Sequence, residues 1–593
     1  MKIDHRLFDM ARAEPLAAGP DVLPRPSLFV RIFQSLFRMR IHKSGGRILW
    51  LGFGFIVFYG LIVWKLAMLA LYPGEVQKIA FPSEATATAR PDILDRNGTV
   101  LATDIKTVSL FAEPCKILDA DEAVEMITAV LPDLDPRRLR EKLASDRCFE
   151  WIKRELSPQK QKEIHNLGLP GLGFTAENKR IYPNGSEAAH VIGTADIDNT
   201  GISGIEKYID GQGLADLKGA GLNIQSDDLK PVALSIDLRV QHAMRDELQK
   251  AIEKYKARAA SGVILDATTG EVISLVSLPD FDPNFPAEAQ KVDAINRIVV
   301  GTYEMGSTFK ALTTAMALDS GKFTINSTLD ARAGIRYGRF KIGDFHPQNR
   351  ILTVPEVFIH SSNIGSARMA LGVGIPGHQA FLKKMGILDR LQTELPESAA
   401  PQLPKRWSEL STITIAYGHG LAVSPLQAVM ATAALVNGGY LIPPTFLPRT
   451  PEQASAMATK VISPETSEAI RYVMRLNATE GTARAAAIPG YFVGGKTGTA
   501  DQSGKSGYDN KTVLTTFMAV TPADKPRYLL LTMLDDPQAV EGTYGYRTAG
   551  QNAGPVTGLI LERVAPLLGL VPRSEPPVMP FPTMVKLGAW GTK

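Results

Sequence analysis

The chain has 593 residues, of which 45% are hydrophobic and 21% are charged, so it is long enough for several domains and has the composition of a globular protein. Its formal net charge of +4 is too small and too diffuse to indicate nucleic acid as the partner. Residues 1–47 hold nine Lys/Arg against four Asp/Glu, which exceeds the surplus of the whole chain. We therefore predict a basic N-terminal tail.

A long apolar segment follows this tail. Residues 48–64 contain no charged side chain, and continued through Tyr72 the segment has the roughly 20 residues that a helix needs to cross a bilayer. Because basic residues crowd its N-terminal side, residues 1–47 are expected in the cytoplasm and the rest of the chain outside it. A cleaved signal peptide is disfavoured, since the preceding segment is long and no cleavage site lies close. The sequence predicts a single-pass inner-membrane protein, anchored by residues 48–72, with its bulk in the periplasm.

Only two cysteines occur, Cys115 and Cys148, and both lie in the part that is predicted to be exported. An oxidising compartment would allow them to pair. The sequence does not give the Cα separation that a disulfide requires, so the paired and the free states both stay open. No His/Cys cluster has the spacing of metal ligands, and we predict neither a metal nor a cofactor.

Residues 73–230 are predicted to form a mixed, loop-rich module. The sequence begins there with a hairpin whose strands flank a turn at Asn97 and Gly98, a pair that favours positive φ. A helical stretch is predicted near residues 120–168, and turn-forming residues dominate 182–210.

Residues 231–570 have a different character and predict an α+β domain. An amphipathic helix and a pair of strands come first, helical segments dominate from 307 to about 475, and three strands and a last helix follow. Since the helices lie between the early and late strands, we predict that these strands join one antiparallel sheet. The proline-rich residues 571–593 are predicted to be extended or disordered.

The stretch YEMGSTFKAL places Ser307 three residues before Lys310 at the start of a predicted helix. This spacing puts both side chains on one helix face, beside backbone N–H groups that are free to hold an oxyanion. The same spacing occurs at Ser157 and Lys160. There Pro158 and the polar residues after it indicate a capped, solvated helix start. A Ser-x-x-Lys pattern alone is therefore weak.

Two later motifs strengthen it, Ser361-Ser362-Asn363 and Lys496-Thr497-Gly498-Thr499. Ser-x-x-Lys, Ser-x-Asn and Lys-Thr-Gly in this order are the signature of penicillin-binding proteins and class A β-lactamases. With RPDILDRNGTVLAT and DFHPQNRILTVPEVFIHSSNIGSARMAL, the chain resembles class B penicillin-binding proteins, most closely the division-type transpeptidases, from roughly residue 88 to 565.

The resemblance implies a penicillin-binding, serine β-lactamase-like transpeptidase domain, with an antiparallel sheet flanked by helices, on an elongated pedestal or dimerisation-type domain. It implies a serine D,D-transpeptidase that cross-links peptidoglycan stem peptides in septal wall synthesis and is acylated by β-lactams. It also implies a polytopic membrane glycosyltransferase and other division proteins as partners.

The family's site maps onto these motifs, and the resemblance implies a role for each residue. Ser307 would be the nucleophile, and a neutral Lys310 would take its proton, which requires a pKa lowered by burial and by Lys496. Ser361 would pass a proton to the leaving D-Ala, and Asn363 would hold the substrate amide.

The last motif is expected to form an edge strand along which the substrate lies as an added strand. Its Gly498 would allow close approach. The backbone N–H groups of Ser307 and Thr499 would form the oxyanion hole, and Thr497 and Thr499 with Lys496 would take the terminal carboxylate.

Each of these motifs also has an interpretation without catalysis. Ser361 and Asn363 could merely cap a helix, and Lys496 could be an exposed strand residue. Gly490 to Thr497 formally match a phosphate-binding loop, although the sequence around them is strand-like and predicts no following helix. An elongation-type transpeptidase, a serine β-lactamase or β-lactam sensor, and a non-catalytic division scaffold remain alternative functions.

Overall fold

The structure is a computed structural model that describes residues 45–71, 89–214, 229–338, 340–504 and 507–574. The chain divides into two compact units, Met1–Ser83 and Glu84–Lys593. Most of the predicted basic tail and of the predicted proline-rich tail lies outside the described residues.

The described part of the first unit is one helix, α1 (Gly45–Leu71), of 27 residues. Side chains are described for residues 52–65 of it, and the large apolar ones among them, such as Phe53, Ile56 and Trp64, are exposed. Counted over the residues described in this way, no helix is both long and apolar enough to span a bilayer. Residues 48–71 are helical, as expected. That this helix crosses a membrane stays a prediction.

The second unit begins with an N-terminal module, residues 89–233, built on a sheet of five strands. The strands are β1 (Ile93–Leu94), β2 (Val100–Ala112), β3 (Glu150–Leu156), β4 (Leu172–Ile181) and β5 (Val232–Ala233). The long strand β2 pairs antiparallel with β1, β3 and β4, and β1 pairs parallel with β5. The predicted hairpin is confirmed, since β1 and β2 flank a turn in which Gly98 has φ 85°.

Short helices cover this sheet. They are α2 (Ala120–Val130), α3 (Pro136–Leu143), α4 (Pro158–His165), α5 (Ala189–Ile192) and α6 (Gly204–Ile209). The helical prediction for 120–168 is wrong at β3, because Ile152 and Leu156 are buried on a strand whose other residues are mostly charged. This composition hides the strand, which the pairing with β2 stabilises.

A buried network of charges joins the beginning of the module to its end. Arg90 is fully buried, and its Nε donates to Oε2 of Glu206 over 2.7 Å. Arg180 donates to the other oxygen of Glu206, also over 2.7 Å, and to Asp104 over 3.0 Å. Because these ions lie away from water, each depends on its partners for compensation.

The C-terminal domain, residues 238–570, contains the remaining strands. They are β6 (Ala259–Asp266), β7 (Val272–Leu278), β8 (Thr328–Asp330), β9 (Ile335–Tyr337), β10 (Phe340–Ile342), β11 (Ile351–Thr353), β12 (Tyr440–Leu441), β13 (Thr459–Lys460), β14 (Gly494–Gly504), β15 (Gly507–Thr521) and β16 (Tyr528–Asp535). The main sheet has the order β14-β15-β16-β6-β7 and is antiparallel throughout. The early and late strands therefore join one sheet, as predicted, with β14 at its edge.

Helices pack on both faces of this sheet. They are α7 (Leu238–Tyr255), α8 (Lys310–Asp319), α9 (Val354–Ile359), α10 (Asn363–Val373), α11 (Ile375–Lys384), α12 (Glu409–Ile415), α13 (Pro425–Val436), α14 (Pro451–Met457), α15 (Pro464–Glu480) and α16 (Ala553–Leu567). One core places α7 and α16 on one face of the sheet, and another places α8, α13 and α15 on the opposite face. This arrangement confirms the predicted α+β domain.

Candidate active site

Ser307 lies in a tight turn that leads into a buried helix. The 3-10 turn Gly306–Phe309 runs directly into α8, whose first residue is Lys310. Gly306 has φ 53°, and a Cβ on it would lie 2.8 Å from the carbonyl oxygen of Thr499 on β14. Only glycine combines this conformation with such a close approach. The turn is thus fixed against the edge strand.

The amine of Lys310 is the centre of the site. Its Nζ lies 3.0 Å from Oγ of Ser307 and 3.0 Å from Oγ of Ser361. It also donates to the carbonyl oxygen of Ser361 over 2.5 Å and to Oδ1 of Asn363 over 2.7 Å. The orientation of the Asn363 amide follows from its Nδ2, which donates to the carbonyl oxygen of Gly343 over 3.0 Å.

This environment favours a neutral amine. Lys310 is 1% exposed, and burial, followed by the charge of Lys496, lowers its pKa well below the usual value, whereas Asp344 raises it. The carbonyl oxygen of Ser361 and the amide oxygen of Asn363 can only accept hydrogen bonds, so they accept from the two N–H groups of a neutral amine. The lone pair is then left for a hydroxyl proton, and the amine can act as a base toward Ser307.

Ser361 lies between α9 and α10 and bridges two lysines. Its backbone has φ 55°, an unusual value for a residue with a side chain. Its Oγ lies 2.9 Å from Nζ of Lys496 as well as 3.0 Å from Nζ of Lys310. The side chain that caps α10 is that of Ser362, which accepts from the N–H of Gly365. The capping interpretation of Ser361 is therefore wrong.

Lys496 reaches this hydroxyl from the edge strand β14. It is fully buried, its Nζ lies 5.8 Å from the centre of the Phe358 ring, and burial lowers its pKa to about 7. The interpretation as an exposed strand lysine is wrong. A protonated Lys496 can donate to Ser361, so a path for a proton runs from Lys496 through Ser361 to Lys310.

The rest of the edge-strand motif lies beside the nucleophile. A Cβ on Gly498 would lie 2.7 Å from the carbonyl oxygen of Met305, so its backbone packs against the turn before Ser307. Oγ1 of Thr499 accepts from the N–H of Ala549 over 3.2 Å, and the residue as a whole is partly exposed. Thr497 is mostly buried, and its hydroxyl pairs with that of Thr482 over 2.9 Å. The residues of the three motifs thus lie together around the Ser307 turn and the amine of Lys310.

Two further residues, which the sequence analysis did not single out, hold parts of these motifs in place. Asp344 accepts from Oγ of Ser362 over 2.7 Å and from the N–H of Ile364 over 2.9 Å, and so orients the start of α10. Thr482 holds the hydroxyl of Thr497. Both lie outside the three motifs, and only their position in the fold reveals them.

The competing motifs have other structures. Ser157 caps α4 by accepting from the N–H of Lys160 over 3.3 Å, and Nζ of Lys160 pairs with Glu163 over 2.7 Å. The Gly490–Thr497 stretch leads into the strand β14, whereas a phosphate-binding loop leads into a helix. Both were interpreted correctly from the sequence.

Comparison with known proteins agrees with this geometry. The family model described as the penicillin binding protein transpeptidase domain matches residues 260–562, and that of the penicillin-binding protein dimerisation domain matches residues 85–213. The chain belongs to the class B penicillin-binding proteins. The first range contains all three motifs of this penicillin-binding protein, and the second contains most of its N-terminal module. The resemblance drawn from the motifs is confirmed.

Individual relatives extend over most of the chain. A probable peptidoglycan D,D-transpeptidase FtsI of Caulobacter vibrioides is 36% identical over 497 residues, which is 82% of each chain. A probable peptidoglycan D,D-transpeptidase PenA of Neisseria gonorrhoeae is 33% identical over 83% of this chain and 86% of its own. The crystal structure of a Bifidobacterium adolescentis peptidoglycan synthetase has a TM-score of 0.65 at 22% identity, covers 83% of this penicillin-binding protein and 97% of its own chain, and shares the fold.

Proposed function

We propose that this penicillin-binding protein is a peptidoglycan D,D-transpeptidase that works through an acyl-enzyme on Ser307. The observation that carries the proposal is the 3.0 Å contact between Oγ of Ser307 and a buried Nζ of Lys310 whose pKa is lowered. The relatives' names describe the same activity in proteins that align with most of this chain.

The first half-reaction forms an ester. Oγ of Ser307 attacks the carbonyl carbon of the penultimate D-Ala while Nζ of Lys310 takes the hydroxyl proton. The backbone N–H groups of Ser307 and Thr499 stabilise the oxyanion. When the C–N bond breaks, the leaving D-Ala amine takes a proton from Ser361, which is replenished from its lysine neighbours. The donor peptide is then held as an ester of Ser307.

The second half-reaction makes the cross-link. An amine of another stem peptide attacks the ester carbonyl and loses a proton to the site, and Ser307 leaves with its hydroxyl restored. One amide bond is broken and one is formed, so the exchange needs no external energy source or cofactor.

The edge of β14 supplies the binding surface for the donor. Within the described part of the chain, this strand pairs only with β15 in the main sheet, so its other edge can accept an extended peptide. The carboxylate of the terminal D-Ala would lie near Lys496 and Thr499. A buried lysine with a pKa of about 7 can supply the positive charge that this carboxylate needs.

Labelling with a fluorescent penicillin tests the assignment. We expect the full chain to be labelled, Ser307→Ala to be unlabelled, and Ser157→Ala, which alters the same motif in its capped form, to be labelled normally. Equal labelling of Ser307→Ala would refute the nucleophile. Mass spectrometry of the adduct adds a second readout, since a long-lived adduct on Ser307 is expected of a transpeptidase and rapid hydrolysis of a β-lactamase.

We further propose that residues 48–72 anchor the protein in the inner membrane, with residues 1–47 in the cytoplasm and the catalytic domain in the periplasm. The apolar sequence, which has no charged side chain from residue 48 to 64, the basic N-terminal flank and the exposed apolar side chains of α1 support this arrangement. Protease added to spheroplasts should degrade the catalytic domain, and protection of this domain in intact spheroplasts would contradict the topology.

We propose septal wall synthesis as the cellular role, with a polytopic membrane glycosyltransferase supplying the glycan strands. The relationship to FtsI proteins supports it. Depletion should give filaments with unfinished septa. Rounded or bulging cells would instead favour the elongation-type alternative.

A further inference from the structure

Cys115 and Cys148 lie at the same end of the β2–β3 pair. Ala112, the last residue of β2, faces Glu150, the first residue of β3. Cys115 lies in the turn after β2, and Cys148 lies just before β3. Continued past the strand ends, this register would put Cys148 opposite Pro114, the residue next to Cys115. Facing residues of antiparallel strands have Cα atoms about 4.5–5.5 Å apart, so this register brings the backbone of Cys148 close to the turn that contains Cys115.

The two thiol groups lie close enough to influence each other, since the neighbouring Cys115 thiol raises the pKa of Cys148. Both sulfurs also lie near the ammonium group of Lys116, whose pKa is raised chiefly by Glu113 and further by the two cysteines. Both residues are exposed, so a reagent or an enzyme can reach them.

Aromatic side chains fix the backbone beside this pair. The Phe111 and Phe149 rings stack with centroids 5.1 Å apart, and Phe149 meets Trp151 edge-on at 5.0 Å. The N–H of Glu113 donates to the carbonyl oxygen of Gly171 over 2.7 Å, which holds the end of β2 against the segment just before β4. The two thiols are thus presented by segments that are already held together.

We propose that Cys115 and Cys148 are an oxidation site and form an intramolecular disulfide in the exported protein. The exported state is the one proposed above. The oxidant is another disulfide, such as that of a thiol–disulfide oxidoreductase. One cysteine thiolate attacks it and releases a thiolate, and the second cysteine then displaces the other half. Two protons leave the cysteines, and two electrons reduce the oxidant to two thiols.

The bond would close the loop that carries α2 and α3. Core residues of this loop, including Ile127 and Leu139, pack with Leu110 of β2 and Ile152 of β3. A disulfide at the base of the loop restricts the unfolded state of this loop. It therefore lowers the population of molecules in which α2 and α3 have opened away from the sheet. Since proteolysis follows that population, we expect the oxidised protein to be cut in residues 116–147 at least about tenfold more slowly than the reduced protein.

Incubation of the purified full-length protein with glutathione disulfide, followed by alkylation and mass spectrometry, tests the pairing. Because the chain has only two cysteines, an intramolecular disulfide can only join Cys115 to Cys148. We expect a monomer that takes up no alkylating reagent and is lighter than the reduced protein by two hydrogen atoms. A monomer with two alkylated thiols, stable glutathione adducts or disulfide-linked dimers would each overturn the proposal.

Limited proteolysis tests the effect of the disulfide on the loop that carries α2 and α3. Cys115→Ser and Cys148→Ser should be cut at the rate of the reduced wild type under both redox conditions. Equal rates for oxidised and reduced wild type would overturn the stabilising role. Penicillin labelling of the same samples reports separately on the proposed function, and it should be equal in both redox states.

Discussion

Lys310 and Lys496 share one hydroxyl group, since Oγ of Ser361 lies 3.0 Å from the first amine and 2.9 Å from the second. Two buried ammonium groups at this distance repel one another. The site therefore favours a state in which one lysine is neutral and the other is protonated. The neutral amine faces the nucleophile, and the charged amine belongs to the edge strand β14.

The base can be removed with little change in volume. Lys310→Met should lower the rate of acylation by penicillin by about 10²–10⁴-fold, the usual contribution of a positioned base, while the domain stays folded. Stopped-flow or gel-based labelling gives the rate, and circular dichroism checks the fold. Lys160→Met, which alters the capped Ser-x-x-Lys motif, is the matched control. A near-normal rate in Lys310→Met would mean that another group takes the proton.

The pH dependence of acylation should reveal Lys496. Its pKa is about 7, so its charge is present below that pH and is lost above it. The second-order rate constant of acylation, k2/K, reports the pKa values of the free enzyme. Because an anionic penicillin is attracted by the charge of Lys496, this rate constant should decline as the pH rises through about 7. Lys496→Arg keeps its charge and should move this decline to higher pH. An identical alkaline limb in both proteins would assign the limb to another group.

Gly306 should be sensitive because of what lies beside it. Gly306→Ala strains a backbone with φ 53° and places a Cβ 2.8 Å from the Thr499 carbonyl oxygen, so we expect a loss of acylation rate of at least about tenfold. Gly321 is the matched control, since it has φ 69° and open space around its missing Cβ. Gly321→Ala should lose some stability and keep its labelling rate. Equal effects of the two substitutions would show that strain, and not the contact with β14, decides the outcome.

The buried charges of the N-terminal module predict a large loss of stability. Arg90→Ala leaves Glu206 with one cation fewer in a site closed to water, and such losses cost about 3–5 kcal/mol. Urea unfolding followed by fluorescence would measure this loss. Arg138→Ala removes an exposed arginine, 85% accessible, that pairs loosely with Asp135, and should leave the unfolding curve unchanged. Matching curves for Arg90→Ala and the wild type would disprove the compensating role of the network.

The motifs could be read from the sequence because their residue types and order carry the chemistry. Ser307 and Lys310 were predictable as a pair since helix geometry brings positions three apart together. The joining of early and late strands in one sheet followed from the order of helices and strands, whereas the edge position of β14 was expected from the family resemblance. The sequence also separated Ser157 and Lys160 correctly, because Pro158 and its polar neighbours indicate a capped start.

The remaining parts depend on contacts between distant segments. Strand β3 escaped prediction because its charged residues hide two buried positions, and β8 to β13 escaped because strands of two or three residues show no periodicity. Asp344 and Thr482 act through the backbone and hydroxyl groups of motif residues, and the positive φ of Ser361 is set by the junction of two helices. None of these relationships has a local pattern.

Ser307 and Lys310 belong to one turn and helix start, whereas Ser361 and Lys496 enter the cleft from separate elements. The nucleophile and its base therefore belong to one continuous segment of the chain. A wider gap between α10 and β14 would separate Lys496 from Ser361 and leave the contact between Ser307 and Lys310 intact. Deprotonation of the nucleophile and delivery of a proton to the leaving group thus depend on different parts of the fold.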